Sequence, residues 1–113
     1  MPAYYLQQLI AAQRAPNAQT TMFAAGAATR IDSLSVTNTD VTAIHTISIN
    51  LVAQGGSVGA GNLTTDAQPV LPGQTWNSPN EVGKGLNPGD FISVIASAAS
   101  VLNIAAGGIL MTP

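Results

Sequence analysis

The sequence predicts one all-β domain, an antiparallel β-sandwich with jelly-roll-like topology, carrying an N-terminal arm or short helix. Apolar and polar residues alternate strictly in short β-rich stretches, most clearly over residues 44–52. Corners at Pro72-Gly73 and Pro88-Gly89 separate such stretches, since proline presets φ and the following glycine supplies a positive φ. At 113 residues the chain has the size of one domain. Many short strands between turns are typical of sandwiches and jelly rolls.

Residues 1–18 form a segment of their own. Leu6, Leu9 and Ile10 recur at helical spacing between polar residues, and prolines bracket the run. The segment is too short for a stable isolated helix, so we expect a short helix or an arm that becomes ordered on a neighbour. A frayed terminus or an extra edge strand is the simpler alternative. The predicted division is therefore an arm over 1–18 and a β-sandwich domain over 19–113.

The rest of the chain is predicted to be a series of strands. In residues 44–52, Ile47 and Ile49 face one side of the strand and Ser48 faces the other, which indicates a half-buried antiparallel strand. Residues 54–62 are rich in glycine and are predicted to form a flexible loop. The predicted strands cover residues 20–23, 29–38, 44–52, 63–71, 75–77, 92–97, 101–104 and 109–111.

Charged residues are unusually scarce. They make up 7% of the chain, against about 25% in an average soluble protein. The cations Arg14, Arg30 and Lys84 are scattered, so no basic patch is available for nucleic acid. A polar but nearly uncharged surface loses little solvation free energy when a neighbour covers it. We therefore expect a protein that works within an assembly and does not bind nucleic acid.

Residues suited to catalysis are missing or isolated. The chain has no cysteine and one histidine, His45, which is predicted to lie half-buried at the rim of the core. The acids are widely spaced, and Asp40 and Asp90 fall in turns, where short acids accept bonds from local amides. The glycine run 55–61 lacks the Gly-Lys-Ser/Thr of a phosphate-binding loop. We predict no catalytic, cofactor-binding or metal-binding residue, and no enzyme activity.

Residues 92–111 carry no charge and have the length of a membrane span. They also contain serines, Asn103 and a glycine pair, and their apolar residues alternate. We therefore predict strands here and no membrane partner. A membrane-active protein is a third hypothesis, behind the two functions given below.

The order of strands and turns resembles that of small structural proteins of tailed phages. Residues 29–40 (Thr-Arg-Ile-Asp-Ser-Leu-Ser-Val-Thr-Asn-Thr-Asp) are similar to the second strand and turn of that family. An alternating strand over 46–52 follows, then Leu-Pro-Gly-Gln-Thr at 71–75 and Leu-Asn-Pro-Gly-Asp-Phe-Ile-Ser-Val at 86–94. A Ser/Ala-rich hairpin is expected to close the fold. The resemblance covers residues 19–111.

The resemblance implies a capsid cement or decoration protein, a bacteriophage virion structural protein that stabilises the head lattice. It implies a jelly-roll-like sandwich that forms a homo-oligomer, often a homotrimer on a symmetry axis. The expected partners are further copies of the chain and the major capsid protein, in a virion assembled in the host cytoplasm. No catalytic residue and no cofactor is carried over.

The expected contacts lie outside the core pattern, in the arm and in the glycine-rich loop. Deleting residues 1–16 is expected to abolish particle binding while leaving the sandwich folded. The alternative function is a tail-associated receptor- or carbohydrate-binding module, in which Trp76 would contact the ligand. The residues predicted to make assembly contacts are Tyr4, Tyr5, Leu6, Leu9, Ile10, Gly55, Gly56, Val58 and Trp76.

Overall fold

The computed structural model describes residues 3–112, so the first two residues of the expected arm and Pro113 lie outside the described residues. A single 3₁₀ turn spans Ala60–Asn62. Within the described residues the chain forms nine strands: β1 (Ala3–Arg14), β2 (Thr20–Ala24), β3 (Ala28–Asn38), β4 (His45–Val52), β5 (Leu63–Val70), β6 (Thr75–Asn77), β7 (Gly85–Leu86), β8 (Phe91–Ala96) and β9 (Leu102–Thr112).

The strands form two antiparallel sheets that pack face to face. In the first sheet β9 lies between β1 and β3, and both β6 and β7 pair with the far side of β3. In the second sheet the order is β2-β8-β4-β5. The chain passes repeatedly from one sheet to the other, which is the connectivity of a jelly roll. The predicted fold class is confirmed.

The core lies between the sheets and consists mainly of isoleucine, valine and leucine. Ile47 and Ile49 are fully buried, as the alternation on β4 predicts. Asn50, on the other face of β4, is also buried. Its side-chain amide donates to the carbonyl of Gly59 and to Oδ1 of Asn62, both in the loop that follows β4. The glycine-rich loop is thus hydrogen-bonded to one face of its own sheet.

The arm or helix expected at the N-terminal side is wrong over the described residues. Residues 3–14 form β1, which pairs with β9, and Leu9 and Ile10 belong to the core. The register of β1 shifts between Gln8 and Ile10. This bulge lets two adjacent residues be buried while Leu6 points to solvent, and the resulting spacing imitates a helix. Deleting residues 1–16 would therefore remove part of the core, and the expectation of an intact sandwich is wrong.

The hairpin expected at the end of the chain is also wrong. β8 and β9 belong to different sheets, so the connection between them crosses the sandwich. β9 is one continuous strand, whereas the sequence pattern predicts two shorter strands with a gap at residues 105–108. Residues 92–111 are thus divided between two strands, and no helix among residues 3–112 is long and apolar enough to cross a membrane.

A buried carboxylate joins the two sheets at one side. Glu81 lies between β6 and β7 and is fully buried. The hydroxyl groups of Thr64 and Thr65, on β5 of the other sheet, donate to Glu81 Oε2 at 2.6 and 2.7 Å. The Ser78 hydroxyl donates to Oε1. The two bonds from Thr64 and Thr65 connect the first sheet to an edge strand of the second, and the bond from Ser78 holds Glu81 in place within its own connection.

We expect Glu81→Ala to lower the free energy of unfolding by about 3 kcal/mol, because the buried hydroxyl groups of Thr65 and Ser78 and the half-buried one of Thr64 lose this acceptor and a cavity is left. Glu81→Gln, which keeps the volume and one acceptor oxygen, should lose less. Urea denaturation followed by fluorescence of Trp76 measures both changes. An unchanged midpoint for the alanine variant would show that the network contributes no stability.

A second pair of matched substitutions tests whether β1 packs on the core. Ile10→Ala should lower the free energy of unfolding by about 2–5 kcal/mol, because a buried side chain is removed from the core. Leu6→Ala, on the same strand but exposed, should change it by less than about 0.5 kcal/mol. Equal effects of the two substitutions in thermal denaturation would contradict the observed burial of β1.

Candidate assembly surface

One end of the first sheet presents an apolar surface, here called the tip face. It belongs to β1, β9 and β3 and points away from the second sheet. Residues directly opposite one another in neighbouring antiparallel strands share a face. The tip face consists of three such rows: Tyr4–Met111–Ala28, Leu6–Ile109–Arg30 and Gln8–Gly107–Ser33.

The tip face exposes large apolar side chains. Leu6 is 87% exposed and Tyr4 is 68% exposed. Tyr4, Ile109 and Met111 also line a shallow depression in this surface. Tyr5 points to the opposite side of the same strand and is 55% exposed. Contiguous exposed apolar side chains on a polar protein are typical of an interaction surface.

The charges on the tip face neutralise one another. The Arg30 guanidinium donates from Nε to Asp32 Oδ1 at 2.7 Å. Asp32 lies at the bulge of β3, where the register shifts between Ile31 and Ser33. The other side chains of the three rows carry no formal charge. A partner can therefore cover this surface without removing water from an isolated ion.

The structure separates the predicted contact residues into two groups. Tyr4, Tyr5 and Leu6 are exposed. Leu9 and Ile10 are buried in the chain's own core, so their assignment as assembly contacts is wrong. The bulge between Gln8 and Ile10 explains the difference, because it reverses which residues of β1 face the core.

The predicted contacts in the glycine-rich loop are exposed. Gly55, Gly56 and Val58 lie in the β4–β5 connection, and the connectivity brings this loop to the same end of the sandwich as the start of β1. Trp76 differs, because it lies opposite Val36 in the pairing of β6 with β3. Its ring is half-buried and packs against the core, so it does not belong to the tip face.

A second group of exposed apolar residues lies at the other end of the sandwich. Val41, which is 82% exposed, and Ile44 lie in the β3–β4 connection, and Leu71 follows β5. The backbone amide of Gly73 donates to the Asp40 carbonyl and holds these two connections together. The strand and turn pattern of the sequence did not predict this group. Apolar residues beside a cluster of turn residues could have indicated it, because such residues lie outside the strands and are not buried between the sheets.

Asp40 organises the connection that carries Val41. Its Oδ1 accepts hydrogen bonds from the backbone amides of Thr42 and Ala43, and its Oδ2 lies 2.9 Å from His45 Nε2. The hydrogen bonds from His45 and Thr42 hold the pKa of the Asp40 carboxyl well below its usual range. His45 is half-buried and hydrogen-bonded, as predicted. Among residues 3–112 no three His, Cys, Asp or Glu side chains form a metal-binding group.

The jelly-roll fold of this chain is also found in solved virus structures. A structure of the infectious bursal disease virus Gx strain aligns over 97% of this chain and 32% of that chain, with 13% sequence identity and a TM-score of 0.50. The crystal structure of the infectious bursal disease virus VP2 subviral particle aligns over 97% of this chain and 32% of that chain, with 16% identity and a TM-score of 0.45.

The sequence itself has no match among family models or among curated proteins. The similarity to the virus structures is therefore one of fold. The chain spans 32% of the length of each of these virus chains.

The lowered pKa of Asp40 predicts how stability changes with pH. The ionised carboxylate stabilises the fold above its ordinary pKa of 3.8, and this contribution is lost progressively as the pH falls below that value. Asp40→Asn should therefore be less stable than the wild type at pH 7, and the difference should shrink below about pH 4. Urea midpoints between pH 7 and pH 2 measure it. Asp66→Asn, on β5, is the control, and a difference independent of pH would contradict the prediction.

Proposed function

We propose that this chain is a virion structural protein that acts by contact and not by catalysis. Within that class we propose a capsid cement or decoration protein, which binds the assembled head lattice and stabilises it. The observation that carries the proposal is the tip face, an exposed apolar surface without net charge on a jelly roll. The virus structure with which the chain shares its fold supports the same class of function.

The chemistry of the tip face suits a contact that is repeated many times. Covering one Leu or Tyr side chain contributes roughly 1.5–3 kcal/mol from removal of apolar surface. The paired Arg30 and Asp32 add no unpaired charge to be desolvated. One such contact is weak, but copies held at fixed spacing on a lattice bind with a high effective local concentration.

Stabilisation of the lattice follows from binding that depends on assembly. A protein that binds the assembled shell and not its free subunits shifts the equilibrium toward the shell. The proposed partners are the major capsid protein and further copies of this chain, and the phage resemblance implies a homotrimer on a symmetry axis of the assembled lattice. The proposed location is the virion surface.

Particles that lack the chain provide the test. Virus particles produced without this gene should lose their contents at a lower temperature than the wild type, and addition of the purified chain should restore their stability. Addition of a Tyr4→Asp/Leu6→Asp variant should not restore it, because two charges would be placed on the tip face. Val41→Asp, at the other end of the sandwich, is the matched control.

Direct localisation completes the test. The chain should co-sediment with purified particles, and electron microscopy should place it at regular positions on the head. Its absence from particles, together with unchanged particle stability when the gene is removed, would contradict the proposal.

A further inference from the structure

The two sheets have four edges, and three of them are protected against pairing with another strand. β6 and β7 are short, with three and two residues. β5 contains Pro69 and a register shift near Ala67, whose φ is 48°. β2 has five residues and a register shift between Thr21 and Phe23. Short strands, prolines and bulges are the features that keep sheet edges from joining.

The fourth edge, along β1, lacks these features over its first half. Residues 3–8 pair with β9 in one unbroken register, and the first bulge comes only after Gln8. This segment contains no proline, glycine or charged residue. The second side of β1 pairs with no other strand among the described residues, because β1 stands at the end of its sheet. A flat, apolar edge of this kind is a template for another strand.

We propose that residues 3–7 of β1 pair antiparallel with the same residues of a second copy of this chain. The pairing joins the two first sheets into one continuous sheet across a two-fold axis. The role of this pairing in the particle rests on the proposed virion function. The pairing itself is a property of the free protein and can be measured on it.

Charge favours a second copy as the occupant. Residues 3–13 carry no formal charge, so two copies approach without repulsion along the paired segment. Arg14 is the only charged residue of β1, and its Nη1 donates to the Thr39 hydroxyl at 2.7 Å. In an antiparallel pair the two Arg14 side chains lie at opposite ends of the interface. The edge is thus complementary to itself.

The exposed side chains also match across a two-fold axis. If Tyr5 lies opposite Tyr5 of the second copy, Tyr4 lies opposite Leu6 of that copy on the tip face. Directly opposed aromatic and aliphatic side chains stabilise antiparallel strand pairs by roughly 0.2–1 kcal/mol each. The tip faces of the two copies then form one larger apolar surface.

The area of the interface indicates its strength. Tyr4, Tyr5 and Leu6 are 68%, 55% and 87% exposed. They therefore offer on the order of 400 Å² per copy, taking about 200 Å² for a whole side chain. A pair would bury at most on the order of 800 Å² in total, because the side chains that point away from the sheet stay partly exposed, and this is the size of a weak, reversible interface. We expect a roughly micromolar or weaker dimer in solution that becomes permanent only when a lattice repeats the contact.

Disulfide trapping tests the register, because the natural chain has no cysteine. Tyr5→Cys places two thiols opposite each other at the two-fold axis, at a separation that a disulfide can span. Mild oxidation should give a covalent dimer on a non-reducing gel. The matched control is Asp66→Cys on the protected edge of β5. Equal dimer yields from the two variants would overturn the proposal.

Sedimentation velocity between 1 μM and 1 mM, concentrations chosen to bracket a roughly micromolar dissociation constant, tests the interface without a crosslink. Leu6→Lys places two like charges next to each other across the axis and should weaken association by at least about tenfold. Val41→Lys is the control, since Val41 is 82% exposed at the other end of the sandwich. Circular dichroism confirms that both variants are folded. A wild type that stays monomeric at every concentration, or an unaffected Leu6→Lys dimer, would overturn the inference.

The two proposals fail in different ways. A dimer sensitive to Leu6→Lys in a chain that never appears on particles supports the pairing and contradicts the virion function. A wild-type chain that is found on particles but stays monomeric in solution at every concentration supports the virion function and contradicts the pairing.

Discussion

The close approach of β9 to both of its neighbours at Gly108 fixes the geometry of the first sheet. A Cβ at this position would lie 2.1 Å from the Arg30 carbonyl oxygen and 3.0 Å from Leu9 Cδ1, so a larger residue does not fit. The bulges of β1 and β3 fall beside it, after Gln8 and after Ile31. The tip face lies on the outer side of the same three strands, on both sides of this point, so its shape depends on the close packing that Gly108 allows.

Four of the five carboxylates of this chain accept hydrogen bonds from its own groups. Asp90 accepts hydrogen bonds from the backbone amides of Asn87 and Gln54. Asp40 orders the β3–β4 connection, Glu81 joins the two sheets, and Asp32 pairs with Arg30. These four carboxylates are therefore committed to contacts within the chain, whereas Asp66 and Lys84 are exposed elsewhere on the surface. The tip face itself has no net charge.

Local patterns predicted much of the fold. Alternation located most strands from Thr20 onward, although it predicted neither β7 nor the middle of β9, and the Pro-Gly corners have the expected positive φ at Gly73 and Gly89. β1 was missed because its bulge gives Leu6, Leu9 and Ile10 a helical spacing. The crossing between β8 and β9 was missed because turn residues do not reveal which sheet the chain enters next. Exposed and buried contact candidates on β1 could be separated only once its register was known.

The pairing of β1 with β9 places Ala3 opposite Thr112, so the sheet joins segments about a hundred residues apart. Non-local pairing of this kind slows folding, since the intervening chain must be ordered before the two strands meet. β1 is synthesised before β9, so β1 cannot pair within its sheet until β9 has been made. The edge proposed to bind a second copy is therefore presented on a folded sheet only after the pairing with β9 has formed.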